Sequence, residues 1–229
     1  MAKTSKNILG DQRGKIGKLV GRVVEGEQIY SAKPGPRGSS ATPKQKEHRA
    51  RFSAIVRIGK PLKCAIKIGM KLSASKKHLQ SPFNLFVNRN SQHTSYDSET
   101  GIATPDYEAI ILSEGTIPFV TFAAPSFTES QKVTIGFNGN TDCPGALADD
   151  NIYAVAYCPE LVQSAMGIAA RSSETLAITV PSAWSGKTVY LWGFARTSVT
   201  IPTEIEEYGL ELIPGACSIT SYIGTGVVS

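Results

Sequence analysis

At 229 residues, 41% apolar and 19% charged, the chain is long enough to bury a sizeable core and too apolar for a disordered segment. Its net charge of +5 hides a polarity: residues 1–80 hold 19 Lys and Arg against 4 acids, a net of +15, while residues 81–229 hold 5 against 15, a net of −10. No stretch approaches the roughly 18 consecutive apolar residues of a membrane span, the first residues lack a signal-peptide core, and the four scattered Cys and three His show no zinc spacing.

Residues 1–41 read as an amino-terminal arm. Val20, Val23 and Val24 give β-branched character around Gly21, a Gly-containing turn follows at 25–28, and Ile29 to Lys33 return, which predicts a glycine-rich β-hairpin. Val20, Val23, Ile29 and Tyr30 are its candidate assembly contacts. The stretch GDQRGKIG invites comparison with a phosphate-binding loop and fails it. Three residues separate Gly10 from Gly14-Lys15, and Ile16 stands where a Mg²⁺-binding hydroxyl is needed. Residues 34–41 are a loop by composition.

Residues 42–115 form a basic helical and connecting segment. Thr42-Pro43 is a helix start, a capping hydroxyl followed by a ring whose φ suits the first helical position. Phe52, Ile55, Gly59, Leu62 and Ile66 recur at three and four and predict an apolar stripe, with Phe52, Ile55 and Leu62 as its core. Arg57, Lys60, Lys63, Lys67 and Lys71 recur at the same spacing and, at about 100° per residue, fall within an arc of about 120° beside it. That predicts a cationic ridge for a polyanion or an acidic partner. Pro61 breaks the run into two helices or a kink. Ser81-Pro82 repeats the helix start before Phe83, Leu85, Phe86 and Val87, and Tyr107 to Leu112 reads as a strand.

Residues 116–229 read as short strands between turns: 118–123, 132–137, 151–157, 166–171, 175–180, 188–194 and 218–223. About seven strands at this spacing predict an immunoglobulin-like β-sandwich, so the whole chain is expected to be mainly β. Tyr190, Trp192 and Phe194 alternate, which puts three rings on one face of their strand.

Several short motifs in fixed order span nearly the whole chain: Gly14-Lys15-Ile16-Gly17 with Val20-Gly21, Thr42-Pro43 with Gln45, Arg49 and Phe52, and Phe83-Asn84. Pro105-Asp106-Tyr107, Leu112-Ser113-Glu114-Gly115, Ala170-Arg171-Ser172, Pro181 with Trp184 and Gly186, and Ser221-Tyr222-Ile223-Gly224 continue the series. In these the chain resembles an uncharacterised bacterial family, a domain of unknown function of about 200 residues with a GKxGxxVG-like start and a TPxQ…R..F helix. The acidic insertion Thr200 to Cys217 and the extra basic residues near the start depart from that pattern. The resemblance implies fold and element order, and it supplies no activity.

Carboxylates gather at Asp149-Asp150 and at Glu204, Glu206 and Glu207, the two places where a hard cation would be sought. GxSxG is absent and no His has a recognisable context, so no catalytic residue, metal or cofactor is assigned. The expectation is a non-enzymatic structural protein, a self-assembling subunit of a particle or filament, most concretely a phage or virus-like virion component. Its partners would be copies of itself. A nucleic-acid-binding protein using the basic amino-terminal third is the alternative, and a surface binding module the third. Synthesis in the cytoplasm without a signal peptide, no membrane insertion, and a final location in an assembled particle or the cytoplasm complete the expectation.

Overall fold

The computed structural model describes residues 2–4, 12–24, 27–33, 35, 41–76, 81–205 and 209–229. The chain divides after Thr42 into two compact units. In the first, β1 (Ala2–Thr4), β2 (Gly14–Ile16), β3 (Leu19–Val24) and β4 (Glu27–Ala32) form an antiparallel sheet in the order β1-β4-β3-β2. The predicted hairpin is therefore the centre of a wider sheet. Gly17 makes the β2–β3 turn at φ 60°. Gly21 admits the chain closely, since a Cβ there would lie 2.8 Å from the Gln12 carbonyl oxygen.

The second unit opens with three helices, α1 (Pro43–Gly59), α2 (Lys63–Lys76) and α3 (Pro82–Asn90). Pro61 ends the first: the last turn closes with Lys60 N donating to Val56 O at 3.1 Å, and a new ladder begins with Ile66 N donating to Leu62 O at 3.0 Å. Ser81 caps α3 by accepting from Asn84 N at 3.1 Å. Gly59 lets α1 approach α3, because a Cβ there would stand 2.8 Å from the Phe86 ring and 2.9 Å from Phe83.

Seven strands then build the sandwich. One sheet has the order β10-β9-β12-β15 (β10 Gln163–Ala170, β9 Asn151–Cys158, β12 Thr188–Arg196, β15 Ser221–Val227). The other has the order β11-β8-β7 (β11 Thr175–Thr179, β8 Lys132–Asn138, β7 Thr121–Phe122). Two small hairpins, β5–β6 (Thr94–Tyr96, Ala103–Pro105) and β13–β14 (Thr203–Ile205, Leu210–Leu212), are added to this frame. The fold is mainly β, a sandwich of immunoglobulin-like type.

β9 is the middle of the unit and is buried on both faces. Ile152, Ala154, Ala156 and Cys158 join Val133, Ile135, Leu176, Ile178 and Trp184 between the sheets. Tyr153, Val155 and Tyr157, with Trp192 and Phe194 of β12, pack instead on Ile55, Ile58, Leu62, Ile66, Met70 and Phe86 of the helices. The strand's period of two thus feeds two cores, which gives three layers: helices, four-stranded sheet, three-stranded sheet. Both tryptophans are fully buried and satisfied, Trp184 Nε1 donating to Gln163 Oε1 at 2.9 Å and Trp192 Nε1 to Tyr107 O at 2.8 Å.

Two expectations are corrected. Phe52 is not core: it is 50% exposed, whereas Ile55 and Leu62 are 0% and 1% exposed. Ile58, at 2%, shifts the centre of the buried stripe away from Phe52, which lies about 60° off that centre at about 100° per residue. Tyr107 to Leu112 is not a strand. Its backbone pairs with side chains: Ile111 N donates to Asn90 Oδ1 at 2.7 Å, Asn90 Nδ2 donates to Ile111 O at 2.9 Å, and Leu112 N donates to Thr220 Oγ1 at 2.8 Å. The buried Asn90 acts as a substitute sheet edge.

Candidate interaction surfaces

The described residues of the first unit bury little apolar surface. Among its described residues Ile29 is the one buried apolar side chain, at 8% exposure, while Val20, Val23 and Tyr30 are half-buried. Ile16, Leu19 and Val24 are 43%, 46% and 41% exposed. What holds the sheet together is polar: the buried Gln28 amide accepts from Gln12 N at 2.8 Å and donates to Gln12 O at 2.7 Å, and Tyr30 Oη donates to Gln12 Oε1 at 2.8 Å. β2 is an edge strand, and Ile16 lies on it.

In the second unit all five predicted cations are exposed and none forms an ion pair among the described residues. Lys60, Lys63, Lys67 and Lys71 rim one groove of about 710 Å³ whose floor is Val56, Ile66, Pro82 and Phe83. Arg57 stands apart. It lines a smaller cleft of about 280 Å³ with Tyr107 and Tyr157, because the break at Pro61 turns α2 away from the direction a single helical wheel assumes. There, burial pushes the Tyr157 phenol up to about 12, with Tyr107 adding to the shift and Arg57 opposing it. The exposed Phe52 lines a third groove of about 640 Å³ between α1 and α3, with Lys44, His48, Arg51 and Phe83.

The acidic insertion after residue 200 contains the hairpin β13–β14. Its register sets Thr203 opposite Leu212, Glu204 opposite Glu211 and Ile205 opposite Leu210. Leu212 is buried in the sandwich core and Ile205 packs against it, so alternation turns Glu204 and Glu211 together to the solvent side. Ile201, just before the hairpin, is 71% exposed. Glu206 and Glu207 lie outside the described residues.

Asp150 is not available to a cation. It and Arg171 are both fully buried and paired, Arg171 Nε donating to Asp150 Oδ2 at 3.1 Å. Arg171 also donates to Gly139 O and, at 3.1 Å, to Pro118 O. Asp150 accepts from Leu147 N and Ser198 N, each at 3.0 Å. One ion pair therefore ties together loops near residues 118, 139, 147 and 198. Burial lowers the proton affinity of Arg171, and Asp150 opposes that. Sequence reading missed this clasp. The available signal was a single arginine directly after the mostly apolar strand β10.

Among the described residues, no group of three or more His, Cys, Asp or Glu is placed to hold a metal ion, and no helix is long and apolar enough to cross a membrane. The four cysteines are free thiols; Cys64 and Cys143 are exposed, Cys158 and Cys217 buried, and burial raises the Cys217 thiol to about 11.

No curated protein and no solved structure matches the chain. A family model covers residues 11–200, and on that span the chain belongs to DUF6266, a family of unknown function.

Proposed function

We propose that the protein is a non-enzymatic structural subunit that assembles with copies of itself into a particle or filament, a phage or virus-like virion component being the most concrete form. The observation that carries this reading is the first unit: a four-stranded sheet with a single buried apolar side chain among its described residues and with Ile16, Leu19 and Val24 exposed. So small a sheet needs another layer or more strands to be stable. An open strand edge beside exposed apolar residues supplies a place for a second copy to add them. The most buried ionisable groups, Asp150 and Arg171, neutralise each other and hold loops, which fits a structural role.

Removing residues 1–42 tests this. The expected result is a folded second unit that associates far more weakly by light scattering and gives none of the particles or filaments of the full chain by electron microscopy. The same oligomers from the truncated protein would overturn the reading. Nucleic-acid binding is the second reading, favoured by five exposed cations, Arg57, Lys60, Lys63, Lys67 and Lys71, that have no ion partner among the described residues. If they hold phosphates, log affinity falls linearly with log salt, and replacing Arg57, Lys60, Lys63 and Lys67 by Gln flattens the slope by roughly 3.

A further inference from the structure

The lysine-rimmed groove and the acidic hairpin carry matching defects. Lys63, Lys67 and Lys71 stand one turn apart on α2, like charges at the spacing where neighbours on a helix interact, and none has an ion partner among the described residues. On β13–β14, Glu204 and Glu211 face each other directly across the hairpin, also like charges, and also without a cation among the described residues. Each arrangement is destabilising alone, and each is relieved by the other.

We propose that the groove between α2 and the start of α3 receives the outward face of the β13–β14 hairpin from a second copy of the chain. The proposal rests on the self-assembly reading above and names a contact of the second unit that completes it. Spacing supports the match. Directly opposed carboxylates on a hairpin are about 5 Å apart at Cβ, and lysines one helical turn apart are separated by about 5–6 Å. Apolar chemistry matches as well. Ile201, 71% exposed, precedes the hairpin, and the groove offers Val56, Ile66, Pro82 and Phe83 as a floor. That floor is what favours a protein segment over nucleic acid, since a phosphate backbone would use the lysines and leave the apolar floor unfilled. Within its own chain the hairpin's inner face is already committed, with Leu212 in the sandwich core. Its outer face is therefore the one left to bind. Contact of groove with hairpin is heterologous, so repetition gives rings or open filaments and not a closed two-fold pair.

Zero-length carbodiimide cross-linking of an equal mixture of light and isotopically heavy full-length protein, treated with nuclease, tests the contact by mass spectrometry. Mixed light–heavy links from Glu204 or Glu211 to Lys60, Lys63, Lys67 or Lys71 are expected. Assembled protein with same-isotope links only, or with none between these residues, overturns this contact and leaves the role of residues 1–42 standing. A protein monomeric at every concentration overturns both.

A charge swap provides the second arm. Glu204→Lys/Glu211→Lys and Lys63→Glu/Lys67→Glu change exposed residues only, so both variants should keep the wild-type circular dichroism. Each alone is expected to weaken self-association about tenfold or more, and a mixture of the two should recover it. No recovery on mixing overturns the proposal. So does a lysine variant that sheds co-purified nucleic acid and still assembles, because the groove would then be a polyanion site.

Discussion

The two units of this chain use the same strand alternation to opposite ends. In the second, β9 runs Ile152 to Cys158 buried at every position because a sheet covers one face and helices cover the other. In the first, β3 has the same β-branched character, yet its one buried position is Gly21. Backbone pairing is present in both, and net of water a hydrogen bond contributes only about 0.5–1.5 kcal/mol. What separates the two units is therefore the layer on each face. The second unit carries its own layers; among the described residues of the first, Ile16, Leu19 and Val24 of the sheet are exposed.

Breaking the second unit from within gives the largest expected effect. Arg171→Met leaves the Asp150 carboxylate buried without its charge partner and releases the loops at Gly139 and Pro118. A loss of about 3–5 kcal/mol is expected from chemical denaturation. A loss below about 1 kcal/mol would mean that water or a rearranged loop replaces the guanidinium. Next come the helices: Ile55→Ala and Leu62→Ala, both in the helix-facing core, should each cost about 2–5 kcal/mol. Phe52→Ala is the control on the same helix. Half exposed on the groove with Phe83, it should cost under about 1 kcal/mol in the monomer. A Phe52 effect as large as that of Ile55 would place it in the core after all.

The contrast between Ile55 and Phe52 also marks how far sequence reading reaches. Periodicity located the helices, the break at Pro61 and the run of strands, because burial on a fixed face imposes a fixed spacing. Within a stripe it does not locate the centre, and Ile58, absent from the predicted set, moves that centre off Phe52. Four of the five ridge cations were brought together as spacing implied, and Arg57 was lost to the other side of the Pro61 break. The segment Tyr107 to Leu112 has strand composition and no strand partner, since Asn90 and Thr220 occupy its backbone groups. Asp150 and Arg171 lie 21 residues apart and carry no periodic signature, so an acid singled out as a place to seek a hard cation proved to be the buried half of a clasp.

Alkaline pH should act on the second unit through Tyr157, in the helix-facing core at 2% exposure. Its folded pKa is raised, from the ordinary 10.0 to about 12, mainly by burial. The neutral phenol is thus the form the fold favours: its contribution is fully present below pH 10 and is lost as pH rises from 10 towards 12. Discounted for screening, that loss is about 1–2 kcal/mol. Tyr157→Phe should flatten this part of the stability–pH curve, with Cys217, raised to about 11, and Tyr107 and Tyr222, both also raised by burial, contributing what remains. An unchanged alkaline limb in the Phe variant would assign the transition to other groups.

The smallest expected effect is the one that most sharpens the comparison. If the second unit carries its own layers, deleting residues 1–42 removes no part of either of its cores, since every residue of both clusters lies beyond Thr42. The unfolding free energy of dilute, monomeric protein should then change by no more than about 0.5 kcal/mol, the usual size of a surface change, beyond the loss of the cap expected at Thr42. In the same dilute protein, Ile29→Ala should be equally silent, although a buried isoleucine ordinarily costs several times more. Under assembling conditions the same substitution should become visible, because Ile29 and its neighbours Val20, Val23 and Tyr30 would then be covered by a second copy. Concentration is thus the variable that distinguishes a sheet stabilised by its own chain from one completed by a neighbour. Loss of stability on truncation at low concentration would show that residues 1–42 serve their own chain, and the dependence inferred for the first unit would be internal.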